Sequence, residues 1–175
     1  MRGEIPAAVV LVLSDRPGIL ALERAGEHSI PSQVVSPRQY ETEGAYALAL
    51  LERLKKYQVD LICLAGYLRK VPGEVVRAYR GRILNIHPAL LPKYGGKGLY
   101  GRKVHERVLA AGEKESGVSV HYVDEEYDHG SIILQKTIPV SPTDTPETLA
   151  QRVHQLEYEI YPQAIKLVLE KLARR

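Results

Sequence analysis

The sequence predicts an α/β protein, in which helices alternate with the strands of a doubly wound, mostly parallel sheet. Two continuous apolar runs, Ala7–Leu13 and Val59–Ala65, are typical of strands that are buried on both faces. Between them, Glu41–Tyr57 indicates an amphipathic helix, with a buried stripe at helical spacing of Ala45, Leu48, Leu51 and Leu54. A polar strand end in Arg82–Tyr94 completes the pattern, because open α/β sheets bind ligands at such edges.

Shorter elements fill the rest of the first half. The polar pair before Pro17 predicts a helix with proline in its first turn, ending near Gly26. A short strand is expected at Gln33–Val35, before the amphipathic helix. A further helix is expected at Glu74–Tyr79, before the strand that carries Asn85 and His87.

The second half continues the alternation. A helix is predicted at Lys103–Ala111, followed by strands at Val118–Val123 and Ser131–Val140. The loop that joins these strands, Asp124–Gly130, is long enough to rise over a site.

The last predicted helix is the longest. Thr145 is its cap and Pro146 its first residue, which is the usual order at a helix start. Its apolar row is Leu149, Val153, Leu156 and Ile160. Pro162 is expected to break or kink the helix before the row resumes at Ile165, Val168 and Leu172.

Composition narrows the class of protein. There are 24 Lys and Arg residues against 21 Asp and Glu, so the formal charge is a mild +3 with no basic block typical of nucleic-acid binding. The single cysteine, Cys63, rules out an internal disulfide and is expected to be a buried packing residue. These observations favour one domain spanning residues 1–175 of a cytoplasmic protein, without nucleic-acid or membrane partners.

The stretch RILNIHPALLPKY, Arg82–Tyr94, ends in two side chains able to do chemistry. Asn85 and His87 are two residues apart, so an extended segment points both to one face. Pro88 removes a ladder donor, which ends the strand there. An amide and an imidazole therefore leave one strand end together. The ordinary alternative is that Asn85 caps the next turn and His87 is a satisfied surface residue.

The string NIHPALLPKY resembles the formyl-carrying loop of the phosphoribosylglycinamide formyltransferases, the folate-dependent enzymes of purine synthesis. A second block, SVHYVDEEYDHGSIILQ at Ser119–Gln135, resembles that family's other signature, an aspartate in a loop between two strands. The resemblance runs from about Ile5 to Leu172. It implies a Rossmann-like formyltransferase fold, 10-formyltetrahydrofolate as co-substrate and phosphoribosylglycinamide as acceptor, in a monomer or homodimer.

The resemblance also assigns catalytic roles. His87 would be the acid/base group, Asn85 would donate its amide to an oxyanion, and Asp128 would keep His87 protonated and oriented. A carboxylate within about 4–6 Å raises an imidazole pKa, so we expect His87 to be cationic near neutrality. The alternative for Asp128 is an ordinary turn carboxylate beside glycine. The family's loop further implies a cis bond at Leu91–Pro92.

Two binding regions follow from the same resemblance. The folate would lie in a cleft whose loop backbones read the pteridine and whose wall is apolar, formed by Leu68, Arg69, Lys70, Val71, Asn85, Asp124, Glu125, Glu126, Tyr127 and Asp128. Arg69 could instead be an ordinary solvated charge. For the ribotide, Glu157 matches a family position that contacts this substrate, within the segment His154, Gln155, Leu156 and Glu157.

Other interpretations of the polar residues are weaker. His121 and His129 with Asp124 and Asp128 could be metal ligands, but no close helical histidine pair or cysteine cluster accompanies them, so no metal is predicted. The loop KYGGKGLYGR, residues 93–102, could cradle a phosphate, but it lacks the Walker pattern. A flexible loop on the substrate side is the prediction.

The sequence departs from the family at its start. The family opens with a strand and a Gly/Ser-rich turn that binds the ribotide phosphate, and nothing in MRGEIPAAVV replaces that turn. The phosphate site is therefore expected to be missing, or encoded upstream of Met1. Two alternative functions stay open: a formyltetrahydrofolate deformylase-like hydrolase, and a truncated folate-binding protein without transferase activity.

Overall fold

The computed structural model describes residues 5–174, which form two compact units. The larger unit comprises residues 63–70 and 80–174 with the short segment 5–6, and the smaller unit comprises residues 7–62 and 71–79. Part of the expected departure at the start of the chain falls on residues 1–4, which lie outside the described residues. Within residues 5–174, no helix is both long and apolar enough to cross a membrane.

The smaller unit is built on two short parallel strands with helices. Its elements are β1 (Val12–Ser14), α1 (Leu20–Glu27), β2 (Ser32–Val34), a 3-10 turn (Pro37–Gln39), α2 (Glu43–Lys56) and α3 (Gly73–Ala78). Strands β1 and β2 pair in parallel, with Leu13 opposite Gln33. Thr42 caps α2 by accepting a hydrogen bond from the Ala45 amide at 3.1 Å. Val35, Tyr46 and Ala49 form a buried cluster.

Three predictions for the smaller unit need correction. The run Ala7–Leu13 is not a doubly buried strand: β1 begins only at Val12, and Val9 is 63% exposed. Among the described residues β1 pairs only with β2, so it is an edge strand of a two-stranded sheet and not a central strand. Helix α1 begins at Leu20 and not at Pro17, because Gly18 adopts a φ of +68° and turns the chain first.

The buried face of α2 also differs from the predicted one. Leu48 is 62% exposed, whereas Tyr46, Ala47 and Ala49 are buried. Leu54 belongs to both the predicted and the observed stripe. The helix is therefore rotated about its axis relative to the expected orientation, and it buries the ring of Tyr46 while Leu48 faces solvent.

The larger unit contains a four-stranded sheet in the order β3 (Ile62–Leu64), β4 (Ile83–His87), β5 (Glu115–Tyr122), β6 (Ile132–Pro139). The last two residues of β3 belong to this unit. The α/β class is confirmed, but the sheet is mixed: β5 runs antiparallel to both β4 and β6. For β5 and β6 the short connection is the physical reason, because it makes a hairpin and cannot hold a parallel crossover.

Helix α5 (Pro146–Ala173) packs on β4, β5 and β6, and α4 (Arg102–Ala110) packs against α5. Their core contains fully buried residues of β5 and α5, including Val118, Val120, Leu149 and Val153. Thr145 caps α5 and Pro146 is its first residue, as predicted. The helix continues through Pro162 without a break, and its buried row continues with Ala164 and Val168. Packing along the whole length outweighs the local loss of one backbone hydrogen bond.

Cys63 is a further correction, because the residue is exposed at the middle of β3 and not a packing residue. Protein atoms around the thiol raise its pKa to about 11 by desolvation, and a hydrogen bond with Tyr161 opposes that shift. The thiol therefore stays protonated at neutral pH and is a poor nucleophile.

Candidate active site

Three side chains of the larger unit meet at the carboxyl end of β4. Asn85 and His87 leave this strand on one face, and Asp128 comes from the loop between β5 and β6. One oxygen of Asp128 lies 3.5 Å from Nδ1 of His87, and the other accepts a hydrogen bond from the Asn85 amide at 3.3 Å. The structure thus brings the three predicted catalytic residues together. Their chemical roles stay predictions.

Asp128 is held by backbone as well as side chains. The Gly96 amide donates a 2.9 Å hydrogen bond to Oδ2, and the Asp128 backbone has a φ of +54°, in the left-handed region. Gly95 packs closely against both Asp128 and Leu91. A Cβ added at Gly95 would stand 3.1 Å from the Cβ of Asp128 and 2.5 Å from Cδ2 of Leu91. The glycine-rich loop is therefore part of the site and fixes the carboxylate.

His121 is a further residue of the site, for which the sequence suggested only the weaker interpretation as a metal ligand. Strand pairing places it directly opposite Asn85, and its side chain is only 2% exposed. Nδ1 donates to the Tyr122 carbonyl at 2.8 Å, and Nε2 lies 3.1 Å from the amide nitrogen of Asn85. The alternation of Ser119 and His121 along β5 was the signal that could have found it.

Both N–H groups of the Asn85 amide are consequently engaged within the protein, one with His121 and one with Asp128. An incoming oxyanion can receive an Asn85 hydrogen bond only by taking the place of one of these acceptors.

The His87 ring is fixed at its other nitrogen. Nε2 lies 2.8 Å from the Tyr94 carbonyl, which only accepts, so Nε2 carries a proton. Nδ1 is then the basic atom of the neutral ring, and it faces the Asp128 carboxylate. Two backbone groups of the loop, the Tyr94 carbonyl and the Gly96 amide, therefore position His87 and Asp128.

The expectation that Asp128 holds His87 cationic is wrong for this state of the site. Burial, with 4% of the His87 side chain exposed, lowers the pKa of His87 below 6.5, and this outweighs the opposing attraction of Asp128 and Tyr94. Burial raises the pKa of Asp128, but interactions with His121, the Gly96 amide and His87 leave that pKa below its ordinary value. A neutral imidazole therefore faces an ionised carboxylate.

A second set of hydrogen bonds supports the loop after β4. The buried hydroxyl of Ser119 donates to the Ala89 carbonyl at 2.6 Å and accepts from the Leu91 amide at 2.9 Å. Gln135 contacts the same hydroxyl at 2.8 Å and the Leu91 carbonyl at 2.9 Å. The Leu91–Pro92 bond in this loop is cis, as predicted.

The predicted folate segments have mixed environments. Leu68 is 47% exposed, and Arg69 and Lys70 are exposed beside it in the larger unit, whereas Val71 is buried in the smaller unit. Val71 as an accessible apolar wall is therefore not supported. In the loop 124–128, Asp124 accepts from the Glu126 amide at 2.8 Å and lies 2.9 Å from Nδ1 of His129, while Glu125, Glu126 and Tyr127 are exposed.

The predicted ribotide residues lie on α5. His154 and Glu157 are paired at 2.7 Å, and the charge of Glu157 acts on His87, whose pKa it raises. Glu157 is thus electrostatically coupled to the site. Gln155 is exposed, but Leu156 is 7% exposed and packs in the core, so it has a structural role and does not face a ligand.

His105 is a third imidazole close to this region. It is 3% exposed on α4, its Nδ1 has no hydrogen-bond partner among the described residues, and burial followed by the charge of His87 lowers its pKa. Within residues 5–174, no three His, Cys, Asp or Glu side chains are placed to hold a metal ion together.

The formyl transferase family model matches residues 1–165. The chain therefore belongs to the formyl transferase family.

Individual relatives narrow the group to the phosphoribosylglycinamide formyltransferases. The chain is 42% identical over 163 residues to that enzyme of Bacillus subtilis, covering 93% of this chain and 81% of the relative. The solved phosphoribosylglycinamide formyltransferase of Bacillus halodurans matches with a TM-score of 0.89 at 37% identity, over 97% of this chain and 84% of that one. The predicted formyltransferase fold is confirmed.

A longer relative is also similar. The trifunctional purine biosynthetic protein adenosine-3 of Drosophila melanogaster is 45% identical over 169 residues, which cover 97% of this chain. The chain spans only 12% of the length of that relative.

Proposed function

We propose that this chain transfers the formyl group of 10-formyltetrahydrofolate to the amine of phosphoribosylglycinamide, a step of purine (IMP) synthesis, and that residues 1–175 form one formyltransferase domain. The names of the relatives support the reaction. The single observation that carries the proposal for this chain is the contact of Asp128 with both Asn85 and His87 at one strand end.

The reaction needs hydrogen-bond donors where negative charge develops. Attack of the ribotide amine on the formyl carbon makes a tetrahedral oxyanion, and Asn85 is the donor directed at it. The amide exchanges its bond to His121 or Asp128 for one to the oxyanion. The two partners hold the amide group in place, and the new bond to the negatively charged oxyanion offsets the one that is given up.

His87 moves the proton. In its neutral form Nδ1 takes a proton from the attacking amine, and the resulting imidazolium gives that proton to the departing folate nitrogen. Asp128 stabilises the imidazolium by its charge at 3.5 Å, and the hydrogen bond to Tyr94 keeps the ring oriented throughout. Because the pKa of His87 is lowered, the ring starts in its unprotonated form at neutral pH. The same shift makes the imidazolium a stronger acid than an ordinary histidine.

The two substrates contact the residues that the resemblance implies. Leu68, Arg69 and Lys70 with the loop 124–128 contact the folate, and Glu157 with His154 and Gln155 contacts the ribotide. The pairing of His154 with Glu157 and the coupling of Glu157 to His87 support the second assignment. The enzyme works in the cytoplasm on small molecules, as a monomer or homodimer, which suits its mild formal charge of +3.

The test is turnover by the purified protein with 10-formyltetrahydrofolate and phosphoribosylglycinamide, followed by mass spectrometry of the ribotide. We expect a ribotide product heavier by one formyl group, a His87→Ala variant with kcat lowered by on the order of 10²–10⁴, and unchanged activity of the matched variant His28→Ala, whose histidine is exposed in the smaller unit. Formate release without ribotide would instead identify a hydrolase. Folate binding without either product would identify a silent binding protein.

A further inference from the structure

Glu113 lies directly after α4, and backbone hydrogen bonds fix its place. The Gly112 amide donates to the Leu109 carbonyl at 3.0 Å, and the Glu113 amide donates to the Val108 carbonyl at 3.3 Å. Gly112 has a φ of +65°. This is the Schellman arrangement that ends many helices, with glycine in the left-handed position. Because Val108 is buried in the core, the Glu113 carboxylate is carried by a well-packed helix end.

Tyr94 is tied to this helix end by its side chain. Its hydroxyl donates a 2.9 Å hydrogen bond to Oε1 of Glu113, and its ring packs against the same core. Lys93 also lies 2.9 Å from Oε1, but 68% of the lysine side chain is exposed, so solvent screens that ion pair. Hydrogen bonds from Lys93 and Tyr94 hold the pKa of Glu113 below its ordinary value, so the carboxylate is ionised at neutral pH. The bond from Tyr94 is therefore charge-assisted, which is the stronger kind.

The backbone of Tyr94 needs such support. Its φ is +59°, a left-handed conformation that is uncommon outside glycine and persists only where the surroundings hold it. In this conformation the Tyr94 carbonyl lies 2.8 Å from Nε2 of His87. If the side chain of Tyr94 lost its anchor, the carbonyl would be free to move away from the ring.

Two acceptors compete for the single proton of the neutral His87 ring. The Tyr94 carbonyl, 2.8 Å from Nε2, favours the proton at Nε2, whereas the Asp128 carboxylate, 3.5 Å from Nδ1, favours it at Nδ1. The shorter contact decides in favour of Nε2. Formyl transfer as described above needs Nδ1 without a proton, so a displaced Tyr94 carbonyl would remove the base.

We propose that Glu113 is a positioning residue for His87: it holds Tyr94, whose carbonyl keeps the ring proton on Nε2 and leaves Nδ1 able to accept a proton. Among the described residues, no hydrogen bond or ion pair joins Glu113 to His87 or Asp128, so it acts through Tyr94. The effect on turnover rests on the transferase activity proposed above, whereas the place of the proton does not.

Nitrogen-15 NMR of the imidazole rings reads the place of the proton, because protonated and unprotonated ring nitrogens resonate far apart. At pH 8, above the lowered pKa of His87, the wild type should carry the proton on Nε2, with His87→Asn identifying the signals. Tyr94→Phe, which keeps the ring packing, and Glu113→Ala should each raise the ratio of the Nδ1 form to the Nε2 form on the order of tenfold. The matched variant Glu115→Gln, an exposed glutamate at the start of β5, should leave the signals unchanged.

Turnover tests whether the place of the proton matters for the reaction. Tyr94→Phe and Glu113→Ala should each lower kcat on the order of tenfold and leave KM for both substrates within about twofold, because the change falls on the base and not on a substrate contact. The double variant should lose no more than either single variant, since both remove the same hydrogen bond. Glu113→Gln should recover most of the lost kcat, because its amide oxygen still accepts from Tyr94.

Several results would overturn the positioning role: a wild-type ring with its proton on Nδ1, an unmoved proton in both Tyr94→Phe and Glu113→Ala, or an equal change in Glu115→Gln. Losses of kcat that add in the double variant would overturn it too. A proton that moves as expected in a protein without formyl transfer would support the positioning role and contradict the proposed function. An active enzyme whose proton stays on Nε2 in every variant would do the reverse.

Discussion

Two aspartates of the loop between β5 and β6 each pair with a histidine, Asp124 with His129 of the same loop and Asp128 with His87 of β4, and the two pairs behave in opposite ways. His129 and Asp124 are 2.9 Å apart with 68% and 41% of their side chains exposed, and the pKa of His129 is raised by its hydrogen bond to Asp124. His87 and Asp128 are 3.5 Å apart with 4% and 12% exposed, and the pKa of His87 is lowered, first by burial. Desolvation therefore decides the sign of the shift, even where a carboxylate is adjacent.

The largest expected effect comes from removing the charge of the buried pair. Asp128→Asn should lower kcat by on the order of 10²–10⁴, because the imidazolium formed on His87 loses its counter-charge. Since a carboxylate raises an imidazole pKa, its loss lowers the pKa of His87 further, so the acid limb of the kcat profile should move to lower pH.

The matched variant is Asp124→Asn in the exposed pair, which should leave kcat within about threefold of the wild type. A wild-type kcat and an unmoved acid limb in Asp128→Asn would show that the buried pair has no catalytic role.

A smaller loss is expected when the carboxylate is displaced and not neutralised. Gly95→Ala places a Cβ at 2.5 Å from the end of the Leu91 side chain and 3.1 Å from Cβ of Asp128, so the leucine must turn away and Asp128 must move. We expect kcat to fall on the order of 10–100-fold with the protein still folded, since a misplacement of about 1 Å has such effects. Gly26→Ala, at a helical glycine with nothing within 4 Å of the added Cβ, is the control. Equal kcat in both variants would mean that the loop tolerates the shift.

The buried pair should also appear in the pH dependence of stability. The folded pKa of His87 lies below the ordinary 6.5, so the unfolded chain binds a proton first, and the unfolding free energy is constant above pH 6.5 and falls as pH drops through the folded value. His105 contributes in the same window. The slope is at most about 1.4 kcal/mol per pH unit for each histidine. Urea unfolding from pH 8 to 5 should show a shallower slope in His87→Asn, and an unchanged slope would contradict the lowered pKa.

The smallest effect belongs to the exposed pair. His129→Asn removes an interaction that stabilises the fold below the unfolded pKa of 6.5 and is lost as pH rises through the raised folded pKa, the opposite direction to His87. The same variant also tests substrate binding. Because solvent screens the charge of His129, its removal should change the KM for the folate by no more than about twofold. The measurement is KM at pH 6 and pH 8. A tenfold change would show that His129 binds substrate directly.

Part of the site follows from the sequence because the cause is local. The two-residue spacing of Asn85 and His87 puts both on one face of any strand, and Pro88 ends that strand beside them. The helical spacing of the residues from Leu149 to Ile160 likewise fixes the buried side of α5. Such features depend on backbone geometry alone.

The remainder depends on which groups meet in space. Two stripes of α2 are apolar, and only packing decides that Tyr46 and Ala49 are buried while Leu48 is exposed. The pKa of His87 depends on burial, which no spacing reports. The Tyr94 carbonyl and the Gly96 amide position the site, yet every residue has a carbonyl and nearly every residue has an amide, so their part is invisible in the sequence.

The left-handed backbone of Asp128 has a consequence for how this position tolerates change. Asparagine and glycine adopt such a conformation with little strain, whereas valine, isoleucine and threonine resist it. A saturation library at residue 128, sorted once for folding and once for turnover, should therefore return two different sets of amino acids. The folding sort keeps the residues that accept the bend, and the turnover sort keeps the acid alone.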